Sequence, residues 1–153
     1  MKKSTVRMLS AAAVILPVVV LSCACAMVQM LLSNVPSAAV AGVIGLVIYV
    51  IWAGGIVLTI VRRLRGASLT LSLLLLCSLA LFAVAYAMDY GLFSMQETLW
   101  TVGRLCGSPM YILTDGIEKL SGMQNGAAAI LSALAYLLPC IAGTAYAAGR
   151  DKR

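Results

Sequence analysis

Residues 62–88 read RRLRGASLTLSLLLLCSLALFAVAYAM, a cluster of arginines followed by a long stretch without a charged side chain. About 20 apolar residues in a helix cross the hydrocarbon core of a bilayer, which is about 30 Å thick. Spans of that length are predicted at 9–32, 37–61, 68–88 and 126–149. Because these runs are continuous and do not alternate, the sequence predicts an all-α integral membrane protein with four transmembrane helices.

The composition indicates the same class of protein. Hydrophobic residues make up 63% of the chain and charged residues 10%, whereas soluble domains carry roughly 25% charged residues. The 153 residues are predicted to form a single polytopic membrane domain, 1–153. The net charge of +6 does not indicate a nucleic-acid partner, because nine of the eleven basic residues flank the spans. The lipid bilayer is the expected partner.

The charges at the ends of the spans predict the orientation. Basic residues cluster at 2–7, 62–65 and 150–153, which all lie on one side of a four-span protein. The loop at 33–36 is uncharged, and the segment 89–125 is net negative. Because basic residues favour the cytoplasmic side, we expect a multi-pass protein of the plasma membrane with both termini in the cytoplasm.

The first span has a second interpretation, as a cleavable signal peptide that ends near Ala24-Cys25-Ala26. Cleavage would leave three spans. The apolar run continues to Leu32, which makes it longer than the signal-peptide core of about 7–15 residues. Its length therefore favours retention as a membrane span.

The segment 89–125 carries amphipathic patterning. Apolar residues recur there at helical spacing, and Gly107-Ser108-Pro109 interrupts the pattern. The sequence therefore predicts a short amphipathic helical cap between the third and fourth spans, on the extracytoplasmic side. The candidate interaction surface of this cap is Leu92, Met95, Leu99, Trp100, Met110, Tyr111 and Leu113.

Small residues spaced four apart predict close packing between the second and fourth spans, because they let two helix backbones approach. The candidate packing residues are Ala38, Ala41, Gly42 and Gly45 in the second span and Ala135, Gly143 and Ala147 in the fourth. Further along the second span, Trp52 is expected near the inner membrane interface, where indole rings are common.

The spans lack the groups that usually carry catalysis or ion coupling. The sequence has no histidine, and no Asp, Glu, Lys or Arg lies within a span, which removes the common general bases, metal ligands and proton relays. Serines 22, 72, 78 and 132 are expected to hydrogen-bond their own helix backbone. No cofactor, metal site or catalytic residue is predicted.

Five cysteines remain as reactive groups. Cys23 and Cys25 face nearly opposite sides of a helix, because two residues turn about 200°. Cys77 and Cys140 are predicted within the membrane and Cys106 outside it. The sequence does not decide whether Cys106 forms a disulfide with Cys25. Four-span thiol–quinone oxidoreductases have the same number of spans, but they need a close-spaced cysteine pair that this chain lacks.

These observations favour a non-catalytic accessory, assembly or protective subunit that acts through helix packing and its cap, on another membrane protein or a second copy. The alternative is a small transporter or pore for an uncharged or lipophilic solute, in which Pro17 and Pro139 act as hinges. Gln29, Tyr136 and Thr144 would then line a polar path. A thiol redox membrane enzyme is a third interpretation.

Overall fold

The computed structural model describes residues 3–32, 37–89 and 106–149, and the regular structure within them is entirely α-helical. The helices are α1 (Lys3–Leu32), α2 (Ala38–Val61), α3 (Arg65–Asp89), α4 (Ser108–Ser121) and α5 (Asn125–Ala148). All except α4 are long and apolar enough to cross a membrane. The four long helices coincide with the four spans that the sequence predicts.

A short turn at Arg62, Arg63 and Leu64 connects α2 to α3. The Leu64 amide donates to the Thr59 carbonyl at 2.8 Å, and the Arg62 amide donates to the Leu58 carbonyl at 2.9 Å. These bonds satisfy carbonyl groups that a helix end leaves without a partner. Arg63 has a left-handed φ of 56°. We call this end of the bundle the arginine end, and the end where α2 begins and α3 finishes the opposite end.

Helix α4 lies among the four long helices and contacts each of them. Its first turn is level with the middle of α3 and α5, because Ser78 Oγ donates to the Cys106 carbonyl and the Tyr136 hydroxyl donates to the Pro109 carbonyl at 3.4 Å. Its last turn reaches the start of α2. The 14 residues of α4 are roughly 21 Å long at 1.5 Å per residue. Therefore α4 extends from the middle of the bundle to the opposite end.

This position differs from the predicted cap. Residues 90–105 lie outside the described part of the chain, so the first half of the cap is not described. The second half does form a helix, which ends at Gly122 with a left-handed φ of 67°. However, Ile112, Thr114 and Gly116 are buried in addition to Met110 and Leu113. A helix buried on several faces inserts between neighbours, whereas a surface helix buries one face.

Candidate functional site

A cavity of about 520 Å³ opens on the side of the bundle between α1 and α3. We call it the lateral cavity and define it by Cys23 and Met27 on α1, Trp52 on α2, Leu74 and Cys77 on α3, and Cys106 just before α4. Small-molecule sites have volumes of about 300–1,000 Å³. The cavity therefore has the size of a site for one small molecule.

The opening of the lateral cavity faces sideways, at mid-height along two of the apolar helices. Met27 and Leu74, on either side of it, have 67% and 43% of their surface exposed. Both residues belong to helices that are long and apolar enough to cross a membrane. The opening therefore lies between exposed apolar side chains of two such helices.

Polar groups in the wall are already hydrogen-bonded to one another. Trp52 is 5% exposed, and its indole N–H donates to Ser22 Oγ at 3.2 Å. Ser78 Oγ donates to the Cys106 carbonyl. Both serines were expected to bond their own helices, as Ser132 does by donating to the Ala128 carbonyl at 2.9 Å. Because these groups already satisfy each other's hydrogen-bonding capacity, a molecule bound in the cavity needs few polar atoms of its own.

Three thiols from distant parts of the sequence line the lateral cavity. Cys23, Cys77 and Cys106 are all free and exposed. Cys25 packs against the core instead, which agrees with the helical geometry that turns it away from Cys23. Cys106 was predicted outside the membrane, but its carbonyl lies beside the middle of α3. Within the described residues no group of three metal-binding side chains is close enough to hold an ion.

The structure describes the side chains of two of the three residues in the polar path of the transporter hypothesis, Tyr136 and Thr144. Tyr136 is fully buried, its ring lies 5.4 Å from that of Tyr49, and its hydroxyl bonds the Pro109 carbonyl. Thr144 Oγ1 donates to the Cys140 carbonyl of its own helix at 2.8 Å. The side chain of Gln29 lies outside the described part of the structure. Tyr136 therefore stabilises the insertion of α4, and it is not among the residues that line the lateral cavity.

The candidate interaction surface is divided between undescribed and buried residues. Four members lie outside the described residues, namely Leu92, Met95, Leu99 and Trp100. Met110 is fully buried and Leu113 is 8% exposed, so neither belongs to an outer surface. Tyr111 is half-buried, and its hydroxyl donates to Asp89 Oδ2 at 3.2 Å. The described members thus hold α4 in the bundle.

Gly42 and Gly45 of α2, which were predicted to pack against the fourth span, have their closest contacts with α4. A Cβ atom on Gly42 would collide with the Leu120 side chain, and one on Gly45 would stand 3.1 Å from the Ile112 carbonyl oxygen. From the other side, a Cβ on Gly116 would stand 2.9 Å from the carbonyl oxygen of Ala41. The absent side chains thus let the backbones of α2 and α4 approach closely. The side chain of Ala38 is outside the described residues.

The predicted packing face of α5 is used mainly against α3. Ser68 Oγ donates to the Gly143 carbonyl at 3.1 Å. A Cβ on Gly143 would collide with Ser72 Oγ and stand 3.0 Å from a methyl group of Ile56 on α2. Spans two and four therefore do meet at Gly143, whereas the closest contacts of Gly42 and Gly45 are with α4. Ala135 and Ala147 are half-buried.

The sequence analysis missed the lateral cavity because no motif joins its residues. One signal was present: Gly107-Ser108-Pro109 is followed by an apolar pattern, and proline is well tolerated in the first turn of a helix. The triplet therefore marks the start of α4 and not only the end of a surface helix. Comparison of the chain with protein-family models, with curated proteins and with solved structures finds no match in any of the three.

Proposed function

We propose that this chain is an integral membrane protein that binds a small lipophilic molecule in the lateral cavity, as a carrier or binding protein and without converting it. One observation carries the proposal: an apolar cavity of about 520 Å³ opens sideways at mid-height between two apolar helices. A solute could enter it from the bilayer without crossing a polar barrier. This deepens the transporter alternative of the sequence analysis and replaces its polar path with an apolar site.

The chemistry of the wall supports binding over catalysis. Among the described residues, those that line the cavity include thiols, hydroxyls and an indole but no carboxylate or amine. General acid–base catalysis needs a group that exchanges protons near neutral pH. The chain also lacks histidine, the side chain most often used for that purpose.

The proposal includes an orientation in the plasma membrane. The clusters of basic residues at 2–7, 62–65 and 150–153 support a cytoplasmic location for the arginine end and for both termini. A reporter enzyme that is active only in the cytoplasm, fused after Arg153, tests this orientation. Loss of reporter activity at normal expression would contradict it.

Thiol labelling tests occupancy of the lateral cavity. Variants that keep only Cys23, Cys77 or Cys106 would be treated with lipid-soluble N-phenylmaleimide, with and without saturating biphenyl as an apolar competitor. We expect biphenyl to slow labelling of all three thiols severalfold. Leu138→Cys in a cysteine-free background is the matched control, because residue 138 is 69% exposed on α5. Equal rates with and without biphenyl at the three cavity thiols would refute the binding proposal.

A charged maleimide tests whether the cavity faces lipid or water. In sealed vesicles we expect the charged reagent to leave Cys106 unmodified from either side, while N-phenylmaleimide modifies it, because a charged reagent does not enter the hydrocarbon layer. Rapid modification of Cys106 by the charged reagent would mean that the cavity is open to water. That result would contradict entry of a lipophilic solute from the bilayer.

A second candidate is the accessory subunit, which one feature of α2 favours. Gly42, Gly45 and Gly55 all make close contacts, but a Cβ on Gly54 would have nothing within 4 Å. Gly54 is exposed beside Val50 and Val57, which are 57% and 55% exposed. Such a notch fits the close approach of another membrane helix. Gly54→Leu should abolish co-purification of a stoichiometric membrane partner or second copy, and Val43→Leu should not; retention by Gly54→Leu contradicts this role.

A further inference from the structure

A second cavity of about 1010 Å³ lies at the arginine end, bounded by α1, the α2–α3 turn, α3 and α5. We call it the arginine groove. It is defined by Met8 and Ile15 on α1, Val61 on α2, Arg63 in the turn, Arg65 on α3 and Tyr146 on α5. Two guanidinium groups and an apolar wall therefore share one groove, which is separate from the lateral cavity.

The described side chains that line the arginine groove carry positive charge and no negative charge. Arg63 and Arg65 line it, and no carboxylate does so among the described residues. The Arg65 guanidinium lies 6.0 Å from the centre of the Tyr146 ring, and such a cation–π contact helps to hold it at the groove. The groove also includes Gly66 in the first turn of α3, where the helix dipole adds positive potential. The groove is therefore suited to an anion.

The groove is also placed at the depth of lipid headgroups. Helices α2 and α3 have 24 and 25 residues, which gives each a length of roughly 36 Å at 1.5 Å per residue. The hydrocarbon core is about 30 Å thick, so the turn that carries Arg63 reaches the headgroup layer. Met8 and Ile15 continue the groove with apolar surface on α1. A ligand that fits both parts has a charged head and an apolar tail.

We propose that the arginine groove is a binding site for an anionic diacyl phospholipid. Its phosphodiester oxygens accept hydrogen bonds from Arg63 and Arg65, since guanidinium groups match phosphate geometry. One acyl chain lies along Met8, Ile15 and Val61. A zwitterionic choline headgroup binds less well, because its quaternary ammonium group would be held near two arginines. This site depends on membrane insertion but not on an occupied lateral cavity.

Native mass spectrometry of the full chain in mild detergent tests the site, with equal amounts of phosphatidylglycerol and phosphatidylcholine added. We expect the wild type to retain phosphatidylglycerol preferentially. A basic side chain near an anionic surface contributes enough for a roughly five-fold preference, so Arg63→Gln with Arg65→Gln should lower the preference by more than ten-fold. Arg62→Gln is the matched control, because Arg62 is exposed in the same turn but does not line the groove.

Two further measurements keep the proposal falsifiable. Ala11→Phe fills the groove from α1 and leaves both arginines, so it should also reduce phosphatidylglycerol retention while the helical circular dichroism stays unchanged. Inorganic phosphate at millimolar concentration should not displace the lipid, because it lacks the acyl chain. Equal losses for Arg62→Gln and the double variant, full retention by the double variant or by Ala11→Phe, or displacement by phosphate would each overturn the lipid site.

Discussion

The two halves of the bundle achieve close packing in different ways. In the half of the bundle nearer the arginine end, which we call the arginine half, the long helices touch directly. Ser68 Oγ donates to the Gly143 carbonyl there, and the absence of a Cβ on Gly143 lets α3 and α5 meet. In the opposite half, the short helix α4 occupies the space between them, and α2 presents Gly42 and Gly45 to it. The lateral cavity lies where one arrangement changes to the other, at the first turn of α4.

This difference teaches how hydroxyl groups are used in an apolar bundle. Near α4, hydroxyls bond across helices: Thr114 Oγ1 donates to Ser132 Oγ at 3.0 Å, and Ser78 Oγ donates to the Cys106 carbonyl. In the arginine half, Ser72 Oγ is fully buried and has no hydrogen-bond partner among the described residues. Hydroxyl bonds between helices therefore hold the inserted helix α4. The arginine half contains such a bond as well, from Ser68 to the Gly143 carbonyl, and also accommodates Ser72 through its small size alone.

The largest effect is expected at the boundary of the two halves. Tyr136→Ala removes a fully buried ring that packs edge-on against Tyr49, and it should lower the free energy of unfolding by about 3–5 kcal/mol. Tyr136→Phe keeps the ring and should cost only about 0.6 kcal/mol for the lost bond to Pro109. Unfolding in mixed micelles with a denaturing detergent measures both values. Equal losses in the two variants would show that the hydroxyl, and not the ring, joins the halves.

An intermediate effect is expected from adding one methyl group to each half. Gly143→Ala and Gly116→Ala should each destabilise by about 1–3 kcal/mol, because the new Cβ meets atoms of a neighbouring helix. Gly54→Ala is the matched control, with open space around its Cβ, and should leave stability unchanged or slightly raised. Unfolding in mixed micelles measures the stability of all three variants. A loss in Gly54→Ala as large as in Gly143→Ala would contradict the assigned packing faces.

Two of these variants, Gly116→Ala and Gly143→Ala, test by thiol labelling whether the two halves are independent. Gly116→Ala shifts α4 and should therefore change the rate at which N-phenylmaleimide modifies Cys106. Gly143→Ala acts in the arginine half and should leave that rate within about two-fold of the wild type, since effects at separated sites are usually independent. If both variants changed the labelling rate alike, a change in the arginine half would also shift α4, and the two halves would not be independent.

The smallest effects are expected at the buried hydroxyls. Thr114→Val breaks the bond to Ser132 and should cost about 0.6 kcal/mol, the average for such bonds in membrane proteins. Ser72→Ala removes a hydroxyl that has no partner among the described residues, so it should be neutral or stabilising. The free energies of unfolding of the two variants decide this. A larger loss for Ser72→Ala than for Thr114→Val would contradict the roles assigned to these two hydroxyls.

Much of the candidate site could not be predicted, and α4 illustrates the reason. In water, an apolar stripe identifies the buried face of a helix, but lipid is as apolar as leucine, so the stripe does not distinguish lipid from protein. Met110 and Leu113 were therefore interpreted as a surface, although both are buried. Small residues were better guides, since Gly42, Gly45 and Gly143 do lie at close contacts. Their partners could not be read from spacing alone.

The sequence by itself determined the four long helices, the arginine turn between α2 and α3, and the opposite facing of Cys23 and Cys25. Length, charge and helical periodicity are local properties of the chain. The tertiary structure alone decided that α4 inserts beside α2, that Gly143 meets α3, and that Cys23, Cys77 and Cys106 line one cavity. Those outcomes depend on which backbones can approach each other, and such contacts join segments that are far apart in the chain.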